Sequence, residues 1–255
     1  MIAVELTFKI QKRGVKRDQE FAVSCLIAAL LRNGSLCGTP TFARTRGGWT
    51  VNGAAPDRAA FQRKNLGKWG SQRLSESRRM GVAGPHIRIF GPVAEVNATC
   101  PCLRPSGYIL FTTFLTMGPP VLCLRCGGDV PIYRLPRDEH GELSDLISWE
   151  SEYRACDTLQ MLCEVGERFG TRQISDSSSS LTMAGKSVCK RLEEQTGLRA
   201  YYYLHRSGGR SALAEAERTC PGCGGSWRRK KPLHGLFDFK CDKCRLLSNI
   251  SFDFR

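Results

Sequence analysis

The chain has 255 residues, a formal net charge of +14 and thirteen cysteines. A chain of this length buries most of the surface of its unfolded form, so bound metal adds to a core rather than replacing one, and an odd cysteine count argues against a fully paired disulfide framework. Met1 to Leu6 show no basic stretch leading into an apolar run, and the apolar helical stretch Phe21 to Leu31 is too short to span a bilayer, so a cytoplasmic protein without membrane contact is expected, where closely spaced thiols hold metal.

Residues 2–10 alternate, with Ile2, Val4, Leu6, Phe8 and Ile10 on one side, which predicts a half-buried strand. Asp18 is placed to cap a helix carrying Phe21, Leu26 and Leu30 and ending near Asn33-Gly34. Two strands are expected around Leu36–Arg44 and Trp49–Asn52, joined by a turn at Gly47-Gly48. An Arg-rich helix from Asp57 to about Met80 and a strand from His86 to Val96 follow. The order β-α-β-β-α-β predicts a ferredoxin-like domain over residues 1–97.

Residues 98–217 read as an α+β region: a cysteine-bearing stretch, to about residue 136, has its own strand, Tyr108 to Phe114, and a helix follows from Glu142 to Phe169. The apolar stripe of that helix is Leu143, Ile147, Tyr153, Cys156, Leu159 and Cys163. A further helix spans Ala184 to Thr196, ended by Gly197, and Arg199 to Arg206 reads as a strand. Residues 218–255 read as a zinc ribbon whose tail, Leu246 to Phe252, docks on the preceding domain or completes its sheet.

The cysteines carry the chemistry. Cys220-Pro221-Gly222-Cys223 and Cys241-Asp242-Lys243-Cys244 are two CxxC pairs separated by seventeen residues, a spacing that suits a zinc ribbon. Each pair supplies one edge of a sulfur tetrahedron, and four thiolates leave no open position for a catalytic water. One structural zinc ion is therefore expected here. Cys100-Pro101-Cys102 with Cys123-Leu124-Arg125-Cys126 forms a second candidate set. Its first half is one residue short of the usual spacing, so it could hold a second zinc or be a metal-free ribbon, and His86 or His140 could replace a poorly placed sulfur. Cys25, Cys156, Cys163 and Cys189 fall on apolar helical faces, where cysteine packs as a small hydrophobe.

Charge is blocky. Residues 32–88 carry eleven Lys/Arg against two acids (+9), residues 218–255 nine against three (+6), and residues 129–167 three against ten (−7). Arg228, Arg229, Lys230 and Lys231 leave the first C-terminal pair, and Lys240, Lys243 and Arg245 flank the second. A metal-fixed basic face suits nucleic-acid phosphates, with base stacking on Trp227, Phe237 or Phe239 wherever one is exposed; the alternative is buried aromatics beside solvated cations. No phosphate-binding glycine loop, metalloprotease helix or nucleophile elbow is present, no small-molecule substrate is evident, and no histidine sits in a nucleophile motif, so no enzyme is expected.

Glu152 to Met161, Tyr201-Tyr202-Tyr203-Leu204, Cys220 to Trp227 and His234 to Asn249 together resemble a family of bacterial zinc-ribbon-containing proteins described as possibly nucleic-acid-binding. The resemblance covers roughly residues 130–252. It implies that the four C-terminal cysteines are zinc ligands, and implies no activity. Two functions are carried forward: a non-catalytic nucleic-acid binder, and a module for a charged protein partner, such as the immunity partner of a bacterial toxin, steered by the opposed charge blocks.

Overall fold

The computed structural model describes residues 1–11, 15–94, 97–137, 143–162 and 164–254. The fold is mixed α+β with two sheets and two four-cysteine groups, one in the central region and one in the C-terminal region. The chain divides into two compact units, residues 1–101, 116–119 and 128–143, and residues 102–115, 120–127 and 144–255.

The first unit begins with β1 (Ile2–Ile10) and α1 (Lys16–Arg32). A hairpin follows, β2 (Cys37–Thr45) and β3 (Gly48–Ala55), then α2 (Gly67–Arg79) and β4 (Val82–Pro92). Its sheet has the order β2-β3-β1-β4, with every neighbouring pair antiparallel. Period-2 alternation sends Val4, Leu6 and Phe8 to one face. There they meet Val23, Leu26, Ile27 and Leu30 of α1 and Trp49 and Val51 of β3 in one buried cluster.

Four local expectations change here. Asp18 is not the cap of α1: the helix starts at Lys16 behind Val15, which makes no side-chain cap, and Asp18 lies in the first turn, where its charge still suits the helix dipole. Phe21 faces solvent at 69% exposure, so the buried stripe of α1 runs through Val23 and Ile27 instead. The Arg-rich stretch is not one helix from Asp57. Two 3-10 turns, Arg58–Phe61 and Arg63–Asn65, are separated by Gln62 in an extended conformation. The α-helix therefore waits until Gly67. Asp57 caps the first short turn at the Ala59 amide and also accepts hydrogen bonds from Tyr133 and Arg134. The fourth strand covers Val82–Pro92 rather than starting at His86; residues 95–96 of the expected span lie outside the described residues.

The second unit contains β5 (Tyr108–Leu110), β6 (Val121–Cys123), α3 (Ser144–Leu162), α4 (Glu167–Ser175), α5 (Ser180–Thr196) and β7 (Ala200–Leu204). It continues with α6 (Ala212–Ala216), β8 (Arg228–Leu233), β9 (Phe237–Cys241) and β10 (Leu246–Ser248). The six strands form one sheet in the order β6-β5-β7-β10-β9-β8. Pairs β5–β7 and β7–β10 are parallel and the rest antiparallel. All five residues of β7, Ala-Tyr-Tyr-Tyr-Leu, are buried, as a central parallel strand covered on both faces requires.

The tail thus completes a sheet: β10 lies between β7 and β9, so residues 218–255 contribute three strands to it. The strand read as Tyr108 to Phe114 stops at Leu110. The long helix read from Glu142 to Phe169 is two helices, divided at Gly166, whose φ of 78° a residue with a Cβ adopts only under strain. The buried stripe of α3 is Leu146, Trp149, Tyr153, Cys156, Asp157 and Gln160, with Trp149 edge-on to Tyr202 of the sheet. Cys163 lies outside the described residues.

Candidate functional site

Both four-cysteine sets assemble. The sulfurs of Cys220, Cys223, Cys241 and Cys244 lie within 4.8 Å of one another, and so do those of Cys100, Cys102, Cys123 and Cys126. Cys223 Sγ is 3.6 Å from Cys241 Sγ, close to the edge of about 3.8 Å of a tetrahedron built on Zn–S bonds of about 2.3 Å. All the cysteines described are free thiols. A compact set of four soft sulfur donors fits a metal ion that prefers thiolate, and such an ion would cross-link the chain segments that carry it.

Local chain geometry explains why these segments converge. In Cys123-Leu-Arg-Cys126-Gly127 and Cys220-Pro-Gly-Cys223-Gly224 the residue after the second cysteine is a glycine, at φ 71° and 70°. Its amide donates to the carbonyl of the first cysteine at 2.8 Å in both. In Cys241-Asp-Lys-Cys244-Arg245 the same position is taken by an arginine at φ 54°. The left-handed conformation costs a non-glycine residue about 1–2 kcal/mol. Here it is held by the Arg245 guanidinium, which donates to Glu193 at 2.7 Å and to the Asp242 carbonyl. The short Cys100-Pro101-Cys102 half belongs to no helix or strand, and its two sulfurs still join the set. The Cys100 amide donates to the Asp129 carbonyl at 2.8 Å, and the Asp129 amide to the Ala98 carbonyl at 2.9 Å. Among the described residues no histidine substitutes for a sulfur; His140 lies outside them.

The C-terminal thiols are not equivalent. The Gly225 amide, with neighbouring thiols, brings Cys223 down to about 7, whereas desolvation pushes Cys244 up to about 12 and also raises Cys220. Loading a thiolate-binding ion therefore displaces protons from this set. Cys189 contrasts with it: desolvation at its fully buried position raises its pKa strongly, as suits an inert core thiol.

Residues 102–205 match a family model described as a domain of unknown function (DUF2310), and residues 209–254 a second, also a domain of unknown function (DUF8594). One relative from Haemophilus influenzae, described as an uncharacterized protein, is 32% identical over 207 residues, covering 81% of this chain and 79% of the relative. A second from the same organism, described likewise, is 35% identical over 176 residues, covering 69% and 87%. The chain belongs to this DUF2310 family. No solved structure matches it.

The seven cations of the DUF2310 protein that the sequence singles out divide into two groups. Arg228, Arg229, Lys230 and Lys231 are exposed on β8, the edge strand, and Lys243 is exposed in the Cys241–Cys244 turn. Among the described residues none of these five makes an ion pair; Arg229 donates to the Lys231 carbonyl at 3.2 Å. Lys240 and Arg245 are engaged elsewhere. Lys240 pairs with Asp242 at 2.6 Å and sits over Tyr201, and Arg245 pairs with Glu193 and also approaches that ring. Trp227, Phe237 and Phe239 are 3%, 0% and 0% exposed. They pack the sheet, and none offers a face for base stacking.

Two contacts had no sequence signal. His234, at the β8–β9 turn, donates from Nε2 to the Leu124 carbonyl at 3.0 Å and covers Gly127 of the central cysteine turn. Arg218 lies over Trp227 and Phe239 with its Cζ 5.0 and 4.3 Å from the ring centres, and donates to Ser248 and to the Asn249 carbonyl. Burial lowers its pKa to about 10. Glu215, 1% exposed, lies 3.9 Å from Arg218 and accepts from Arg206 and the Ser251 amide. Only their spacing across the fold makes these residues partners.

Proposed function

We propose that this DUF2310 chain is a non-catalytic, cytoplasmic zinc-ribbon protein that binds nucleic acid through the basic edge of its C-terminal ribbon, with zinc in both cysteine sets. One observation carries this reading: four consecutive cations on β8 stand exposed and make no ion pair among the described residues, on a strand that follows the Cys220–Cys223 turn. A metal-braced strand presents charge to phosphates with little conformational entropy to lose. Charged edge strands also block sheet-to-sheet aggregation, so the phosphate role requires its own test. The first unit, with its β-α-β-β-α-β order and β2-β3-β1-β4 sheet, is read as ferredoxin-like. Among the described residues no helix is long and apolar enough to cross a membrane.

The test is the salt dependence of binding to duplex DNA and to RNA. Each phosphate neutralised on duplex DNA contributes about 0.9 to the slope of log K against log salt. Replacing Arg228, Arg229, Lys230 and Lys231 by Ala should therefore flatten the slope by about 3–4. An unchanged slope refutes the assignment.

A second reading, a charged protein partner, rests on exposed Met161, Leu162, Val165 and Phe169 beside Glu164 and Glu167. Apolar side chains rimmed by acids suit a basic, partly apolar protein surface. One stoichiometric protein that survives nuclease treatment of the purified material selects this reading; recovery of nucleic acid alone selects the first.

A further inference from the structure

The +9 block of residues 32–88 is not part of the ribbon, and its cations are unequally neutralised. Helix α2 presents two faces. On one, Glu76 takes Arg73 at 2.6 Å, and Arg73 lies against Trp69. The other carries Ser71, Leu74, Ser75 and Arg78, spaced i, i+3, i+4 and i+7, and no acid. This second face forms one wall of a cleft of about 310 Å³, whose opposite wall is Gly84, Pro85 and Ile87 of the edge strand β4. Leu30, Phe61 and Leu66 add apolar lining, and Arg63 enters from the second 3-10 turn.

The cleft is lined by no carboxylate. The side chains of Arg63 and Arg78 have no hydrogen-bond or ion-pair partner among the described residues, and Ser71 and Ser75 add hydroxyls to the lining, that of Ser75 donating to the Ser71 carbonyl at 2.9 Å. Two uncompensated guanidiniums over an apolar floor select a ligand with an anionic end and an apolar or planar body. Guanidinium matches phosphate oxygens in a bidentate fashion. The volume lies at the lower end of the range of about 300–1,000 Å³ for small-molecule sites, enough for one nucleotide. We propose that the cleft between α2 and β4 binds a phosphate ester of nucleotide size, through Arg63 and Arg78, independently of the basic ribbon. The phosphate could belong to a free nucleotide or to one residue of a single-stranded nucleic acid.

Titration calorimetry with inorganic phosphate, AMP and a single-stranded deoxyoctanucleotide distinguishes the sources. AMP binding that weakens at least about tenfold in R63Q/R78Q, yet is unchanged in the fourfold β8 alanine variant, supports the proposal with a free nucleotide as ligand. The same pattern for the octanucleotide, without AMP binding, supports it with a strand as ligand. Both arginines are exposed, so the variant should keep the wild-type unfolding temperature, and R63K/R78K should retain more affinity than R63Q/R78Q. Wild-type affinity of R63Q/R78Q for every probe, or no binding of any probe to the wild-type protein, overturns it. Failure of the β8 variant to alter DNA binding removes the ribbon reading without touching this cleft.

Discussion

Gly127 and Gly224 occupy the same position in two cysteine turns and differ only in what surrounds them, which separates backbone strain from collision. Their φ angles are 71° and 70°. A Cβ on Gly224 meets nothing within 4 Å, whereas one on Gly127 lies 2.8 Å from Cγ and Nδ1 of His234. Gly224→Ala should cost only the left-handed penalty, about 1–2 kcal/mol. Gly127→Ala adds overpacking against the imidazole of about 1–3 kcal/mol, about 2–5 kcal/mol in all. His234→Ala alone loses the bond to Leu124, about 1 kcal/mol, but clears space for the new methyl group. The double variant Gly127→Ala/His234→Ala should therefore be more stable than the two single costs summed, with a coupling of about 1–3 kcal/mol. Urea unfolding of the zinc-loaded protein, followed by circular dichroism, measures all four corners of the cycle. Equal costs at Gly127 and Gly224, or additivity within about 0.5 kcal/mol, would show that the β8–β9 turn does not rest on the central cysteine turn.

Elemental analysis should find two zinc ions per chain, falling to one when Cys241 and Cys244, or Cys123 and Cys126, become serine; two ions retained in either variant contradicts the ligand sets. Glu215 is desolvated, which by itself would raise its pKa, but bonds from Arg206 and the Ser251 amide and the charges of Arg206 and Arg218 hold it below the usual value. A depressed folded pKa stabilises the fold above the unfolded value of about 4.3 and is lost as pH falls through the folded one. Glu215→Gln should therefore cost about 3 kcal/mol at pH 7 and remove the part of the stability loss below about pH 4 that this carboxylate causes. A variant whose unfolding midpoint tracks the wild type across that range rules out the coupling. Because Lys240 is tied to Asp242, Lys240→Ala should leave the salt slope of DNA binding unchanged, whereas Lys243→Ala should lower it by about 0.9; equal effects would mean that Lys240 is free to leave its acid.

What could be read from the sequence is what local spacing encodes. The alternation of residues 2–10 matches β1 to the residue, and both cysteine sets close with the members expected. What could not be read depends on distant partners. Lys240 and Arg245 look like free cations until β7 supplies Tyr201 and α5 supplies Glu193, 52 residues from Arg245. Trp227 and Phe239 look available for stacking until Arg218 and the sheet cover them. The Asp57–Met80 stretch has helical composition throughout, yet Asp57 is recruited by Tyr133 and Arg134, more than seventy positions away, and the chain makes two short turns before its helix begins. The parallel pairing of β10 with β7 spans more than forty residues, and no turn chemistry announces it.

The place of β10 bears on how the molecule is made. Residues 246–248 are the wedge between β7 and β9, so a nascent chain with Tyr201–Tyr203 already clear of the ribosome still has a gap at the middle of its sheet. Cys220 and Cys223 emerge before Cys241 and Cys244, and until the second pair arrives any captured ion has only half of its cage. Synthesis order thus makes residues 241–248 a latch: metal capture and sheet closure finish within a few amino acids of each other.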